Sequence, residues 1–137
     1  MTQKLILSFL VLIMLCSCSE KKTGRPATAL DTGRHFIRAS LDGNFDNAGL
    51  LILKDSQNAQ LFESYKMYYS RLDKTKKNNY KNASYTINKY ADIDDSTTII
   101  NYSNSFMNKP MEIKLVKVNK EWNVDFKYTY SGNLPID

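Results

Sequence analysis

Glu121-Trp122-Asn123-Val124-Asp125-Phe126-Lys127-Tyr128-Thr129-Tyr130 is the stretch on which the fold turns. Trp122, Val124, Phe126, Tyr128 and Tyr130 fall on one side of a period-two pattern, and Glu121, Asn123, Asp125, Lys127 and Thr129 on the other. Successive side chains of a strand point to opposite faces, so this alternation predicts a strand with one face on a core and one in water. Trp122 is expected to be largely buried on the core face. Working backwards, Met111 to Val118 reads as the preceding strand, joined to the last by the tight connection Asn119-Lys120, with Asn108-Lys109-Pro110 breaking the chain before it. Thr97 to Ser105 is β-branched and suits a pleated surface. Ala83, Tyr85, Ile87, Ala91 and Ile93 alternate with Ser84, Thr86, Asn88, Tyr90 and Asp92, and Asp94-Asp95 makes the turn. Four strands with short connections predict an antiparallel meander.

Upstream of the basic, Asn-rich joint Lys74 to Asn79 the period becomes helical. Leu30, Gly33, Phe36, Ile37, Ser40 and Leu41 share one face at about 100° per residue. Thr28 is the expected N-cap and Asp42-Gly43-Asn44 the stop. A shorter helix is predicted over 45–53, with Phe45, Ala48, Leu51 and Ile52 inward. After the Asp55-Ser56 cap, a longer one covers 57–73, with Leu61, Tyr65, Tyr68 and Leu72 as its stripe. Helices followed by a meander predict an α+β class, N-terminal helices packed on one four-stranded antiparallel sheet. With 137 residues, 42% hydrophobic, 24% charged and 12% aromatic, the chain has the composition of one globular domain; disordered and collagen-like classes are excluded.

The N-terminus carries a different signal. Met1-Thr2-Gln3-Lys4 precedes the apolar run Leu5 to Leu15, too short for a bilayer span of about 20 residues and the right length for a signal-peptide core. Leu15-Cys16-Ser17-Cys18 resembles a bacterial lipobox, with small Ser17 before the cut and Cys18 as the acylated residue. The expected organisation is therefore a signal peptide over 1–17, a lipid-anchored flexible tether over 18–28, and a single domain over 29–137. Two or three acyl chains on Cys18, palmitate among them, give stable membrane attachment where one gives only marginal binding. Cys16 leaves with the leader, so disulfide, thiolate-metal and cysteine-nucleophile chemistry are excluded from the mature chain. Loss of Lys4 leaves 18 basic and 14 acidic side chains, a formal +4. The cations gather at Lys21, Lys22 and Arg25 and at Lys74, Lys76, Lys77 and Lys81; they read either as a solvated face or as a face toward anionic head groups or polysaccharide. Nucleic acid is not an expected partner.

Phe36-Ile37-Arg38-Ala39, Gly43-Asn44-Phe45-Asp46-Asn47-Ala48, the Tyr-rich third helix, Asp95-Ser96-Thr97, Tyr102-Ser103-Asn104, Lys114-Leu115-Val116-Lys117-Val118 and Trp122-Asn123-Val124-Asp125 occur in one order. That order resembles small Gram-negative lipoproteins carrying a domain of unknown function, number 4878, which is similar to the nuclear-transport-factor-2-like, cystatin-like superfamily. The resemblance spans roughly Ala29 to Gly132. Where such proteins often have a glycine before the closing Trp, this chain has Asn119-Lys120-Glu121. The resemblance implies a cone, helices across a strongly curved sheet, with a pocket at its wide end. Superfamily members include small-ligand binders, a few enzymes and many that only dimerise through the sheet; fold alone does not choose.

The side-chain inventory favours binding over catalysis. His35, the one histidine, lies on the polar face of the first helix and reads as solvated. No His pair and no thiol remain for a metal site, and no cofactor is expected. Asp92, Asp94 and Asp95 read as a turn, lacking the ligand spacing of a calcium loop. Asp125 is expected to face outward and pair with Lys114 or Lys117; turned inward, it would be a proton-transfer candidate. Tyr65, Tyr68, Tyr102, Tyr128 and Trp122 could line a pocket, and the same residues also read as plain core. Asn82-Ala83-Ser84 and Asn101-Tyr102-Ser103 match an acceptor pattern for glycosylation but fall in expected strands of a bacterial protein. The expected function is a lipid-anchored, non-enzymatic module of the Gram-negative outer membrane that binds a small ligand or an envelope protein. The alternatives are a purely structural protein that homodimerises through the sheet, and a cone-fold isomerase or dehydratase using Asp125 or Asp92.

Overall fold

The computed structural model describes residues 24–130. The expected leader, Cys18 and most of the tether lie outside the described residues.

Helix α1 (Ala29–Asp42) starts where Thr28 Oγ1 accepts the Asp31 N–H at 3.1 Å. It ends at Gly43, whose φ of 71° is the left-handed C-cap; the Asn44 N–H then reaches Ala39 O at 2.8 Å. A side chain at Gly43 would also run into the Tyr69 ring. Asn44 caps α2 (Phe45–Gly49) in turn, so two adjacent residues close one helix and open the next. Asp55 caps α3 (Ser56–Ser70) and Asp73 caps α4 (Lys74–Asn82), each through a carboxylate accepting at 2.8 Å.

Strands β1 (Tyr85–Asp94), β2 (Thr97–Asn104), β3 (Pro110–Val118) and β4 (Glu121–Val124) pair in that order, all antiparallel. The expected α+β architecture of helices on a four-stranded antiparallel meander is the one observed. The sheet is not strongly curled. Leu51–Leu53 runs parallel to β4, with Leu53 N–H on Val124 O at 2.9 Å and Val124 N–H on Leu51 O at 2.8 Å, and so covers the sheet's far edge. Ile100, Ile113, Leu115 and Val124 face the helices and are fully buried with Phe36 and Ile37 of α1. Gly33 permits this approach, because a Cβ there would press on the Ile100 and Ile113 side chains.

Five expectations are corrected. The joint at 74–79 is helical: its lysines and asparagines face water, so no apolar stripe marks it. It is fixed instead by the Asp73 cap, by Lys77 Nζ on Ser70 O at 2.8 Å and by Tyr80 against Tyr69 and Phe106. The helix expected over 45–53 stops at Gly49, because the next residues pair with β4. The alternation of β1 slips at Asn88: Ile87 opposes Tyr102 and Lys89 opposes Asn101, a bulge that turns Tyr90 and Asp92 to the helix side and Ala91 to the other. The last strand stops at Val124, and Phe126–Tyr130 forms a short helix, α5. Phe126 still enters the core, edge-on to Phe36 and Phe62, but Tyr128 leaves the face it would share in a strand and donates to Glu112 at 2.8 Å. Trp122 shares the Val124 face yet is only partly buried, with Lys117 Nζ 5.5 Å from its ring centre at the turn end of the β3–β4 hairpin.

Candidate functional site

Arg25 organises the surface where the described chain begins. Its Nη1 donates to Leu50 O at 2.8 Å and its Nη2 to Trp122 O at 3.2 Å and to the side-chain oxygen of Asn123, while Nε lies 3.3 Å from the Glu121 carboxylate. Asn123 is itself turned toward this contact by donating to Glu121 O at 2.9 Å. A planar guanidinium with five donors suits such a meeting of three backbone segments. The segment expected to be a free tether up to Thr28 is thus pinned to the domain from Arg25 onward.

A groove of about 540 Å³ opens beside this clamp. Gly24, Arg25 and Pro26 form one wall; His35, Arg38, Ala39 and Asp42 of α1 form the second; Asn44, Asn47, Leu50 and Leu51 close the third. Its position follows from the two-residue hinge at Gly43-Asn44, which folds α2 back beside the end of α1. Leu51 is buried at its base, whereas Leu50 stands 66% exposed at its rim. Arg38 is held by three acceptors: Ala83 O at 2.8 Å, Lys81 O at 3.0 Å and Asp42 at 2.9 Å. Both guanidinium groups are therefore spent largely on the fold. The polar groups left for a ligand are His35, which is exposed, and the amide side chain of Asn47, since the Asn44 oxygen already accepts the Asn47 N–H at 3.2 Å. The lining is mixed, an apolar base under a polar rim, and the volume lies within the range of small-molecule sites.

None of the five aromatic residues singled out in the sequence lines this groove. Tyr65 belongs to the aromatic cluster of Phe45, Phe62 and Phe126. Tyr102 is buried, and burial raises the pKa of both Tyr65 and Tyr102, with Tyr102 a second cause for Tyr65 and Tyr80 a second cause for Tyr102. Tyr68 is half-buried on α3, and Tyr128 and Trp122 lie on opposite faces of the sheet. The tyrosine pair is thus brought together inside the domain, separate from the groove. What marked the groove in the sequence was the neighbourhood of Arg25 and Pro26 before a capped helix, which reads equally as linker.

Asp125 lies on the Lys114 side of the sheet but is buried rather than outward in water, and its Oδ1 has no hydrogen-bond partner among the described residues. Its carboxylate lies 3.7 Å from Lys114 Nζ, and its N–H donates to Lys114 O at 2.9 Å. On the same face of the sheet a separate run of polar contacts has Asn88 donating to Asn101 at 3.0 Å, Asn101 to Glu112 at 3.3 Å and Tyr128 to Glu112. Asp92 accepts from Thr98 Oγ1 at 2.7 Å, and Asp94 from the Ser96 N–H at 2.8 Å, as in a turn. Among the described residues no three His, Cys, Asp or Glu side chains come together as a metal site, and no helix is long and apolar enough to cross a membrane. No protein-family model, curated protein or solved structure matches the chain.

Proposed function

We propose that the chain is an exported protein, acylated at Cys18 and held at the outer membrane of a Gram-negative cell, whose domain is a non-enzymatic binding module with the Arg25–His35–Asn47 groove as its ligand site. The observation that carries this reading is the groove itself: about 540 Å³, apolar at its base and polar at its rim, walled on one side by the segment that leads back to Cys18. The ligand that fits such a lining is small, partly apolar, and carries an acceptor for His35 or the Asn47 amide. The pairing of the buried Asp125 with Lys114, away from the groove, speaks for a structural carboxylate. In its finer architecture the proposal keeps the cone of nuclear-transport-factor-2-like domains. The element order and the bend expected at the Asn88 bulge speak for it; a sheet without strong curl speaks against.

A ligand screen by thermal shift tests the site. Compounds that raise the melting temperature of the wild type should fail with Asn47→Trp, which fills the groove from an exposed position and spares the core. Shifts unaffected by Asn47→Trp would place the ligand elsewhere. A second reading, homodimerisation through the sheet, draws on the outer edge of β1, which pairs with no described strand and carries Tyr90 and Ile93 at 41% and 63% exposure. A dimer by light scattering that is broken by Ile93→Lys, together with an empty screen, would favour it.

A further inference from the structure

Helix α4 is an unusual element for a small domain. Its nine residues, Lys-Thr-Lys-Lys-Asn-Asn-Tyr-Lys-Asn, contain no buried side chain. Lys77 is occupied by Ser70 O and the Tyr69 ring, but Lys74, Lys76 and Lys81, with Arg71 just before the helix, are exposed and their side chains make no hydrogen bond or ion pair among the described residues. The nearby acids are already committed: Asp73 caps the helix, Asp42 holds Arg38, and Glu63 pairs with Lys66 at 2.8 Å. At about 100° per residue Lys74 and Lys81 share one side of α4 and Lys76 lies on the other, so the helix carries a two-lysine ridge without an ion-pair partner, with Arg71 just before it and the Asp73 carboxylate at its start.

The position of this ridge matters as much as its charge. Its C-terminal end is fastened to α1 by Arg38, which donates to Lys81 O and Ala83 O and lines the same groove as Gly24, Arg25 and Pro26. The ridge therefore starts beside the point where the chain leaves the domain toward Cys18. Five residues separate Cys18 from Gly24, and the six steps of chain reach at most about 20 Å. The helix spans only about 13 Å. A bilayer holding acyl chains on Cys18 thus lies within reach of the whole ridge, and the Arg25 clamp limits how far the domain swings away from it.

We propose that α4 is a second membrane contact, docking Lys74 and Lys81, with Arg71 just before the helix, against an anionic phospholipid surface so that the groove is held close to the head groups. The contact is electrostatic, acts within a Debye length of about 8 Å, and gains about fivefold in the docking equilibrium for each lysine engaged. The reach argument rests on the acyl anchor proposed above; the charge argument does not.

The test is hydrogen exchange of full-length protein purified from its membrane and reconstituted in two kinds of vesicle, phosphatidylcholine alone or with one-third phosphatidylglycerol. Residues 74–82 should exchange several-fold more slowly in the anionic vesicles, and the protection should vanish in 0.5 M salt. Lys74→Gln and Lys81→Gln combined should lower the docking equilibrium about thirtyfold, whereas Lys76→Gln, on the other side of the helix, should leave it nearly unchanged. These are exposed positions, and circular dichroism confirms that the variant is folded. Equal exchange in the two vesicle types would overturn the proposal, and so would protection that survives the double substitution. The mass of the same sample separates this from the anchor. Acylated protein whose α4 stays unprotected keeps the anchor and refutes the docking. Unacylated protein whose α4 is protected by anionic vesicles removes the anchor and supports the docking.

Discussion

Arg25 donates through Nη1 to the carbonyl of Leu50 at 2.8 Å, closing a loop of chain around the groove that lies between them. The bond gives the Leu50 carbonyl an acceptor's partner outside any helix ladder, and its neighbours at Trp122 and Asn123 bring β4 into the same junction. Arg25 thereby sets where the N-terminal segment meets the domain. Arg25→Ala should cost about 2 kcal/mol, the scale of charge-assisted hydrogen bonds to groups left without a partner. Chemical denaturation measures it. Glu121→Gln should cost little, because that carboxylate is 58% exposed. Equal losses in the two variants would mean that the ion pair, not the carbonyl clamp, does the fastening.

Asn58 is fully buried and joins α3 to α5: its Nδ2 donates to Asp55 at 2.7 Å, and its Oδ1 accepts the Lys127 N–H at 2.8 Å. Asn58→Ala leaves the Lys127 N–H unpartnered and should cost about 2–3 kcal/mol. Asp55→Asn should be much milder, since asparagine caps a helix nearly as well. Hydrogen exchange should show 126–130 opening first in Asn58→Ala; uniform loosening would contradict the stapling role.

The β3–β4 turn holds Asn119 at φ 50° and Lys120 at φ 67°, so both central residues are left-handed, as a two-residue hairpin of this hand requires. Lysine carries a steric cost there that glycine does not. Lys120→Gly should stabilise the domain by about 0.5–1 kcal/mol. A destabilised variant would show that the Lys120 side chain contributes a contact that outweighs its backbone conformation.

Burial raises the pKa of Tyr65 and Tyr102 above the ordinary phenol value of 10.0. The sign follows from linkage. The folded state prefers the neutral phenol, so this contribution is complete below pH 10 and is lost as the pH rises beyond it. Tyrosinate absorbance should therefore show both phenols ionising only together with alkaline unfolding. Replacing both with Phe should move that unfolding to higher pH. An unmoved alkaline midpoint would contradict their burial.

The sequence made the class and order of the fold readable because Leu30–Leu41 and the meander both carry clean periods. Where it misled, a short-range pattern met a longer-range partner. Phe126 to Tyr130 alternates like a strand, but the Asn58 oxygen captures the Lys127 N–H and Phe126 is drawn among Phe36, Phe62 and Tyr65. Helix α4 lacks any apolar period because nothing in it is buried. The groove was hidden for a related reason: Arg25 acquires its role only through Leu50, Trp122 and Asn123, up to 98 residues away. The five aromatic residues stood out in the sequence by size, yet Tyr65 packs among Phe45, Phe62 and Phe126 and none of the five lines the groove.

Native mass spectrometry of the protein taken from its own membrane tests the central claim most directly. The account predicts a chain beginning at Cys18, heavier by two or three acyl chains, carrying a small non-covalent adduct that leaves on collisional activation and is absent from Asn47→Trp. A chain that keeps Cys16 and Cys18 as free thiols would contradict the anchor. An acylated chain with no adduct, or with one that persists in Asn47→Trp, would contradict the groove as its binding site.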